Sequence, residues 1–207
     1  MLMLKNWRRR SIPAALLALT LVFGGPAAAD PEGAGAFIQR VADDIIGLVS
    51  DRSVSAAQRE RMMAEEFRAT FDLATISRFT LGRYWATATV AERAEYRALL
   101  VDYLVRKYVG LTKFAYGGER LVVTGTQAVD GRNVMVTSRI ERSEGDPVTV
   151  VWQVRDTDGG YLAIDSIVEG VSLVRMLREE FTSVVRNNGG DVGTLITMMR
   201  GVLDETG

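Results

Sequence analysis

The sequence predicts an α+β fold: N-terminal helices, a four-stranded antiparallel meander, and C-terminal helices covering one face of the curved sheet around an apolar cavity. Three observations predict it. Apolar residues recur at helical spacing from Phe37 to about Tyr116, alternate with polar ones from Leu121 to Val168, and return to helical spacing after Gly170. The alternating runs are joined by DGR, RSEGDP and DTDGG, which are turn signals. Strands grouped in one block, with helices before and after, match helices packed on one face of an antiparallel sheet rather than a βαβ arrangement.

The first 29 residues stand apart. Lys5, Arg8, Arg9 and Arg10 precede the apolar run SIPAALLALTLVFGG, and Ala27-Ala28-Ala29 supplies small residues before Asp30. This is the pattern of a cleaved secretory signal peptide, and the run is short for a bilayer span, which needs about 20 apolar residues. The expectation is a signal peptide over residues 1–29, cleavage after Ala29, and one domain over residues 30–207 in the exported compartment. The whole chain has 25 basic and 26 acidic side chains. Without the four basic residues of the leader the balance is 21 to 26, a net charge of −5. Such a chain lacks the basic face that nucleic acid requires. It contains neither cysteine nor histidine, which removes disulfides, Ser-His-Asp and Cys-His catalysis and ordinary zinc sites.

Along the mature chain, DPEGAGA (residues 30–36) reads as a flexible start. Phe37 to Val49 reads as a helix. Phe37, Ile38, Val41, Ile45, Ile46, Leu48 and Val49 fill about half of its circumference, more than the ~100° stripe of a surface helix. Ser55 and Gln58 open a second helix to about Phe71. Asp72 to Trp85 contains a short helix ending near Gly82. Thr89 and Glu92 form a capping box, and the helix behind them is expected to run to about Tyr116 with apolar residues over well more than half its surface. Four strands follow, Leu121–Val129, Asn133–Glu141, Val148–Arg155 and Tyr161–Val168. Gly170 then lets the chain turn, Ser172 caps a helix bearing Val174, Leu177, Phe181, Val184 and Val185, and a last helix covers about Val192 to Leu203.

The apolar surface on these helices exceeds what one packing contact requires, and it faces a one-sided sheet. The expected cavity lining is Phe37, Val41 and Ile45 on the first helix, then Phe79, Trp85, Tyr103, Leu104 and Tyr108. Val134, Val136, Val150, Trp152 and Ile164 come from the sheet, and Val171, Val174 and Phe181 from the joint and its helix. The same faces would also serve as plain core or as an interface, and periodicity alone does not separate these. Two other functions fit the composition: an adaptor with an apolar face, and a small isomerase or dehydratase using Asp72, Asp165 or Glu169 with Tyr84 or Tyr103. Hydrogen bonding at the strand-to-helix joint is the preferred role for Asp165 and Glu169.

The stretches FTLGRYWATATVAERAEY, YLVRKYV, YGGE, YLAIDSIVEGVSLV and REEF, in that order and spacing, resemble the MlaC family, periplasmic phospholipid-binding proteins also called the toluene-tolerance substrate-binding family. The matching positions are Leu81, Gly82, Tyr84, Trp85, Tyr116, Gly118, Glu119, Asp165, Glu169, Gly170, Val171, Ser172 and Phe181. Tyr161 departs from the tryptophan frequent there in the family. The resemblance implies a non-enzymatic carrier with phospholipid as cargo and no cofactor. It would shuttle lipid between an outer-membrane lipoprotein complex and an inner-membrane ABC transporter, maintaining outer-membrane lipid asymmetry. Hopanoid-associated proteins share the pattern, so a hopanoid is the alternative cargo.

Overall fold

A computed structural model describes residues 29–110 and 117–204. The leader expected at residues 1–29 lies outside them but for Ala29, as does the expected end of the long helix at residues 111–116.

Helix α1 spans Pro31–Ser50. Asp30 caps it by accepting from the backbone N–H groups of Glu32 and Gly33, both at 3.1 Å, and Pro31 occupies the first turn, where no N–H is needed. The flexible start expected at residues 30–36 is therefore helical. Its glycines serve close approach rather than flexibility. A Cβ on Gly33 would collide with the Tyr161 hydroxyl, and one on Gly35 would lie 2.9 Å from the Thr126 methyl.

Helix α2 spans Ala56–Thr70, with Ser55 accepting from Gln58 N–H at 3.2 Å. Helix α3 spans Leu73–Leu81. Asp72 caps it, and Gly82 ends it with φ of 58°. A single turn, α4 (Tyr84–Thr87), leads to α5 (Val90–Leu104), where Thr89 and Glu92 complete the expected capping box. The α-helix stops sooner than periodicity implied: Val105–Gly110 form a π-helical turn. An apolar pattern persists through such a turn because the side chains still follow one another around an axis.

The sheet runs β1 (Arg120–Ala128), β2 (Asn133–Glu141), β3 (Val148–Thr157), β4 (Gly160–Val168), β5 (Val171–Ser172), in that spatial order and antiparallel throughout. The fifth strand was not expected, since two residues cannot show alternation. Glu169 and Gly170 join β4 to β5 with φ of 48° and 83°, a two-residue hairpin turn of the kind that needs positive φ at both positions. The joint that reads as a strand handing over to a helix thus contains one more strand pairing. Helix α6 (Leu173–Asn187) then starts from Ser172, whose Oγ accepts from Arg175 N–H, and α7 (Val192–Asp204) closes the chain.

Side chains of alternate residues on β2 and β3 point at the helices: Val134, Val136, Val150 and Val154 are buried, while Arg139 and Thr149 on the other face are exposed. Among the described residues, three apolar clusters form. One joins α3 to α7, with Tyr96, Leu100, Tyr103, Leu177, Phe181 and Leu195 at its centre. One packs α1 on the sheet through Phe37, Ile38, Val41, Leu121, Val134 and Val136. A smaller one joins α2 to the end of α5 through Met63, Ala64, Val101 and Val105. Among the described residues, no helix is long and apolar enough to cross a membrane.

Candidate functional site

The second and third clusters do not merge. Between them lies a cavity of about 280 Å³, bordered by Ile38, Val41, Ala42, Ile45, Ile46 and Val49 of α1 and by Met63 and Phe67 of α2. Leu121 of β1, Ile140 of β2, Trp152 of β3 and Glu119 complete the border. The first half of α1 is buried against the sheet, whereas Ile45, Ile46 and Val49 remain half-exposed and line open space. The Trp152 indole N–H donates to Ser138 Oγ at 3.0 Å, and Ser138 in turn donates to Val150 O, so the ring has a fixed seat and no unpaired N–H.

A second, much smaller crevice of about 20 Å³ lies behind Phe67. Phe71, Leu73, Ile76, Val101, Leu104, Val174 and Leu177 border it together with Ser166 and Leu173. Phe67 belongs to both walls and stacks on Phe71 with ring centres 5.3 Å apart. That one half-buried ring is the partition between the two spaces.

Of the residues expected to line a cavity, Val41, Ile45 and Trp152 border the larger space and Leu104 and Val174 the crevice. Phe37, Val134 and Val136 are packed in the adjoining core. Tyr103 and Phe181 lie in the helical core, their rings 5.8 Å apart, and Trp85 packs against the same core with Arg93 over its ring. Val150 is buried on the sheet, and Ile164 is half-buried at a bulge where it has no partner on β3. Phe79 is exposed under the Arg178 guanidinium, and Val171 is 59% exposed on β5. The Tyr108 side chain is outside the described residues. Sequence reasoning did not name Ala42, Ile46, Val49, Met63, Phe67, Leu121 or Ile140 as lining. The signal for the α1 members was the width of its apolar arc, too broad for the contact it makes.

The polar candidates are engaged elsewhere. Asp165 accepts from Ser172 Oγ at 2.6 Å and from Val174 N–H at 3.2 Å, tying β4 to the start of α6. The Glu169 carboxylate accepts from Thr149 N–H. Asp72 accepts from Thr75 and pairs with Arg155 at 3.3 Å. Burial alone would raise its carboxyl, but the Thr75 hydrogen bonds and the Arg155 charge outweigh that and hold it below the usual value. Tyr84 OH accepts from Arg83. Tyr103 OH donates to Glu180 Oε1 at 2.9 Å, and Lys107 bonds both. Burial pushes the Tyr103 phenol up, as it does that of Tyr96, whose OH shares a hydrogen with Thr80 at 2.7 Å. None of these carboxylates or phenols borders the apolar cavity.

The fold recurs in a known protein. The chain superposes on a phospholipid-binding protein from Ralstonia solanacearum, solved in complex with a phospholipid at 1.53 Å. The TM-score is 0.71 at 21% identity, over 82% of this chain and 96% of that one, which establishes a common fold. At the level of sequence, the family described as MlaC protein matches residues 39–201, from the middle of α1 to the last turn of α7. That span holds the greater part of α1, all of α2 and the whole sheet that together enclose the cavity, and on it the chain belongs to the MlaC family.

Proposed function

We propose that this protein is a lipid carrier that takes up phospholipid in the cavity between α1, α2 and the sheet. The observation that carries the proposal is the cavity itself: an almost wholly apolar space in a chain of the MlaC family, with no acid–base pair bordering it among the described residues. The likeness to a protein that binds a phospholipid supports the choice of cargo.

The physics of carriage fits such a site. Each methylene removed from water contributes about 0.8 kcal/mol, so about fifteen on one acyl chain amount to roughly 12 kcal/mol gross. A space of about 280 Å³ is at the small end of the 300–1,000 Å³ common for ligand pockets. Seating a whole two-tailed lipid therefore requires the walls to part. The crevice behind Phe67 is the adjoining apolar space into which a second tail extends once that ring swings aside.

The wider reading follows from the family. The chain is exported by its N-terminal signal and works in the periplasm, receiving lipid from one membrane's complex and passing it to another's. An outer-membrane lipoprotein complex and an inner-membrane ABC transporter are the partners, and outer-membrane lipid asymmetry is the purpose. A dry pocket close in free energy to the bilayer sets no direction by itself, so direction comes from the partners. The enzyme reading loses its support because Asp72, Asp165, Glu169, Tyr84 and Tyr103 are spread over the molecule in structural bonds rather than gathered at the cavity.

Native mass spectrometry of gently purified protein, followed by lipid extraction, tests the proposal. A mass increment matching a diacyl phospholipid is expected. Protein that purifies empty and takes up no lipid from vesicles would overturn it.

A further inference from the structure

The cavity border is apolar except at one place. Glu119, just before β1, is the sole charged residue on it among the described residues. Its Oε2 accepts from Gly117 N–H at 2.7 Å, which holds the carboxylate folded back over the entrance to β1. Gly117 makes room for this, since a Cβ there would lie 3.1 Å from Oε1. No described cation is paired with Glu119. The neighbouring Arg120 faces Glu141 at 3.8 Å across the β1–β2 pair. On the α1 side of the same rim stands a second carboxylate, Asp43. The Gln39 amide bonds it and the carbonyl of Leu121, each at 3.0 Å, and Leu121 borders the cavity. Among the described residues, the charged groups on this part of the border are therefore carboxylates, although a phospholipid brings a phosphate to it.

A carboxylate beside a phosphate is repulsive unless the headgroup also carries a cation. An ammonium two carbons from the phosphate reverses the sign and can donate a charge-assisted hydrogen bond. We propose that the entrance selects phospholipids whose headgroup bears an amine, with Glu119 as the group that accepts the ammonium. The proposal rests on the lipid-carrier reading and adds the headgroup to it. The tails fill the apolar cavity whatever the headgroup, so Glu119 sets preference rather than capacity. The ammonium remains partly in water, where exposed ion pairs are weak. The preference is accordingly modest, about two- to fivefold over a headgroup with no amine, and it shrinks as salt rises.

The test uses delipidated full-length mature protein. It is incubated with vesicles of equal parts phosphatidylethanolamine and phosphatidylglycerol with identical tails, then separated and extracted. Total lipid per protein and the headgroup ratio are both measured. Wild type is expected to enrich the amine lipid by about two- to fivefold. Glu119→Gln keeps an acceptor for Gly117 N–H and is expected to load the two lipids at the vesicle ratio. Glu119→Arg is expected to favour phosphatidylglycerol, and Glu119→Asp to keep part of the wild-type preference. Wild type that loads fully at the vesicle ratio overturns the headgroup proposal and leaves the carrier reading standing. So does a Glu119→Gln variant that keeps the enrichment. Wild type that loads neither lipid overturns both.

Discussion

Ile45 and Val174 are both aliphatic residues on helices that face the sheet, yet the space beside them differs more than tenfold, about 280 Å³ against about 20 Å³. That contrast gives a substitution pair. Val174→Trp overpacks a buried site with little space beside it and is expected to cost about 1–3 kcal/mol. Ile45→Trp fills space that a tail would use, so the delipidated variant should unfold near the wild-type midpoint while its extracted lipid falls several-fold. Chemical denaturation gives the first quantity and lipid extraction the second. Equal destabilisation of both variants would show that the wall at Ile45 is close-packed. Asp72 supplies a pH prediction of known sign. Its carboxyl is held below the unfolded value of about 3.9, so the stability it contributes is complete above about pH 4 and is lost as pH falls through the lower, folded value. Asp72→Asn should be less stable than wild type at neutral pH, and the gap should close in the acid range. Urea denaturation at several pH values checks this, and a constant gap down to about pH 3 would contradict it.

At the scale of elements, the first turn of α1 shows both what the sequence discloses and what it conceals. DPEGAGA reads as a flexible start although Asp30 and Pro31 open a helix there, because a glycine's reason for being in a helix lies in what packs against it. Here that is Tyr161, far away in sequence. Gly33→Ala should therefore destabilise the protein by about 1–3 kcal/mol despite the better helix propensity of alanine. Pairing it with Tyr161→Ala should remove the part of the collision that Tyr161 makes while the Asp30 carboxylate still crowds the new methyl, so the rescue should be partial, and thermal unfolding of the two single variants and the double variant measures the coupling. Helices α2, α3, α6 and α7 and strands β2 to β4 were legible because each repeats its period over enough residues. Strand β5 is too short to show a period, and the π-helical turn after α5 preserves an apolar pattern while changing the hydrogen bonding. The cavity was legible only as a surplus of apolar surface. Its position depends on which faces fail to meet, and no single element records that. Val171 was expected at the pocket and lies exposed on β5, since the hairpin at Glu169 and Gly170 turns that strand's first side chain outward.

For the whole molecule, a cavity lying between two of the apolar clusters links cargo to stability, because a lipid there would join the two. If lipid binds only the folded chain, the unfolding midpoint should rise steadily with free lipid rather than reach one fixed value. Differential scanning calorimetry of delipidated protein with increasing short-chain phospholipid tests this, and an unchanged midpoint at concentrations that saturate binding would refute it. The same scale includes the chain's start. The sequence expectation of cleavage after Ala29 makes Asp30, the cap of α1, the first residue of the exported protein. Edman sequencing of protein recovered from the periplasm should begin Asp-Pro-Glu-Gly.

The attachment of α1 is uneven along its length. One end is held by the Asp30–Tyr161 hydrogen bond at 3.0 Å, the seat of Gly33 and the buried Phe37, Ile38 and Val41. Past Ala42 the inward side chains are only half-covered. The loose end is joined to α2 through Arg59, which donates to the carbonyls of Leu48, Asp51 and Val54. If α1 acts as a lever, its fulcrum lies at the first turns and its arm at the α1–α2 corner, and a small rotation near Gly33 would open a wider gap at Val49 once the contacts of α2 with the end of α5 give way. Hydrogen exchange should report the gradient, with amides near residues 45–50 and in α2 exchanging faster than those near residues 34–41 in empty protein, and the difference narrowing when lipid is bound. Uniform protection along α1 would mean that the whole helix lifts, and the fulcrum would be lost.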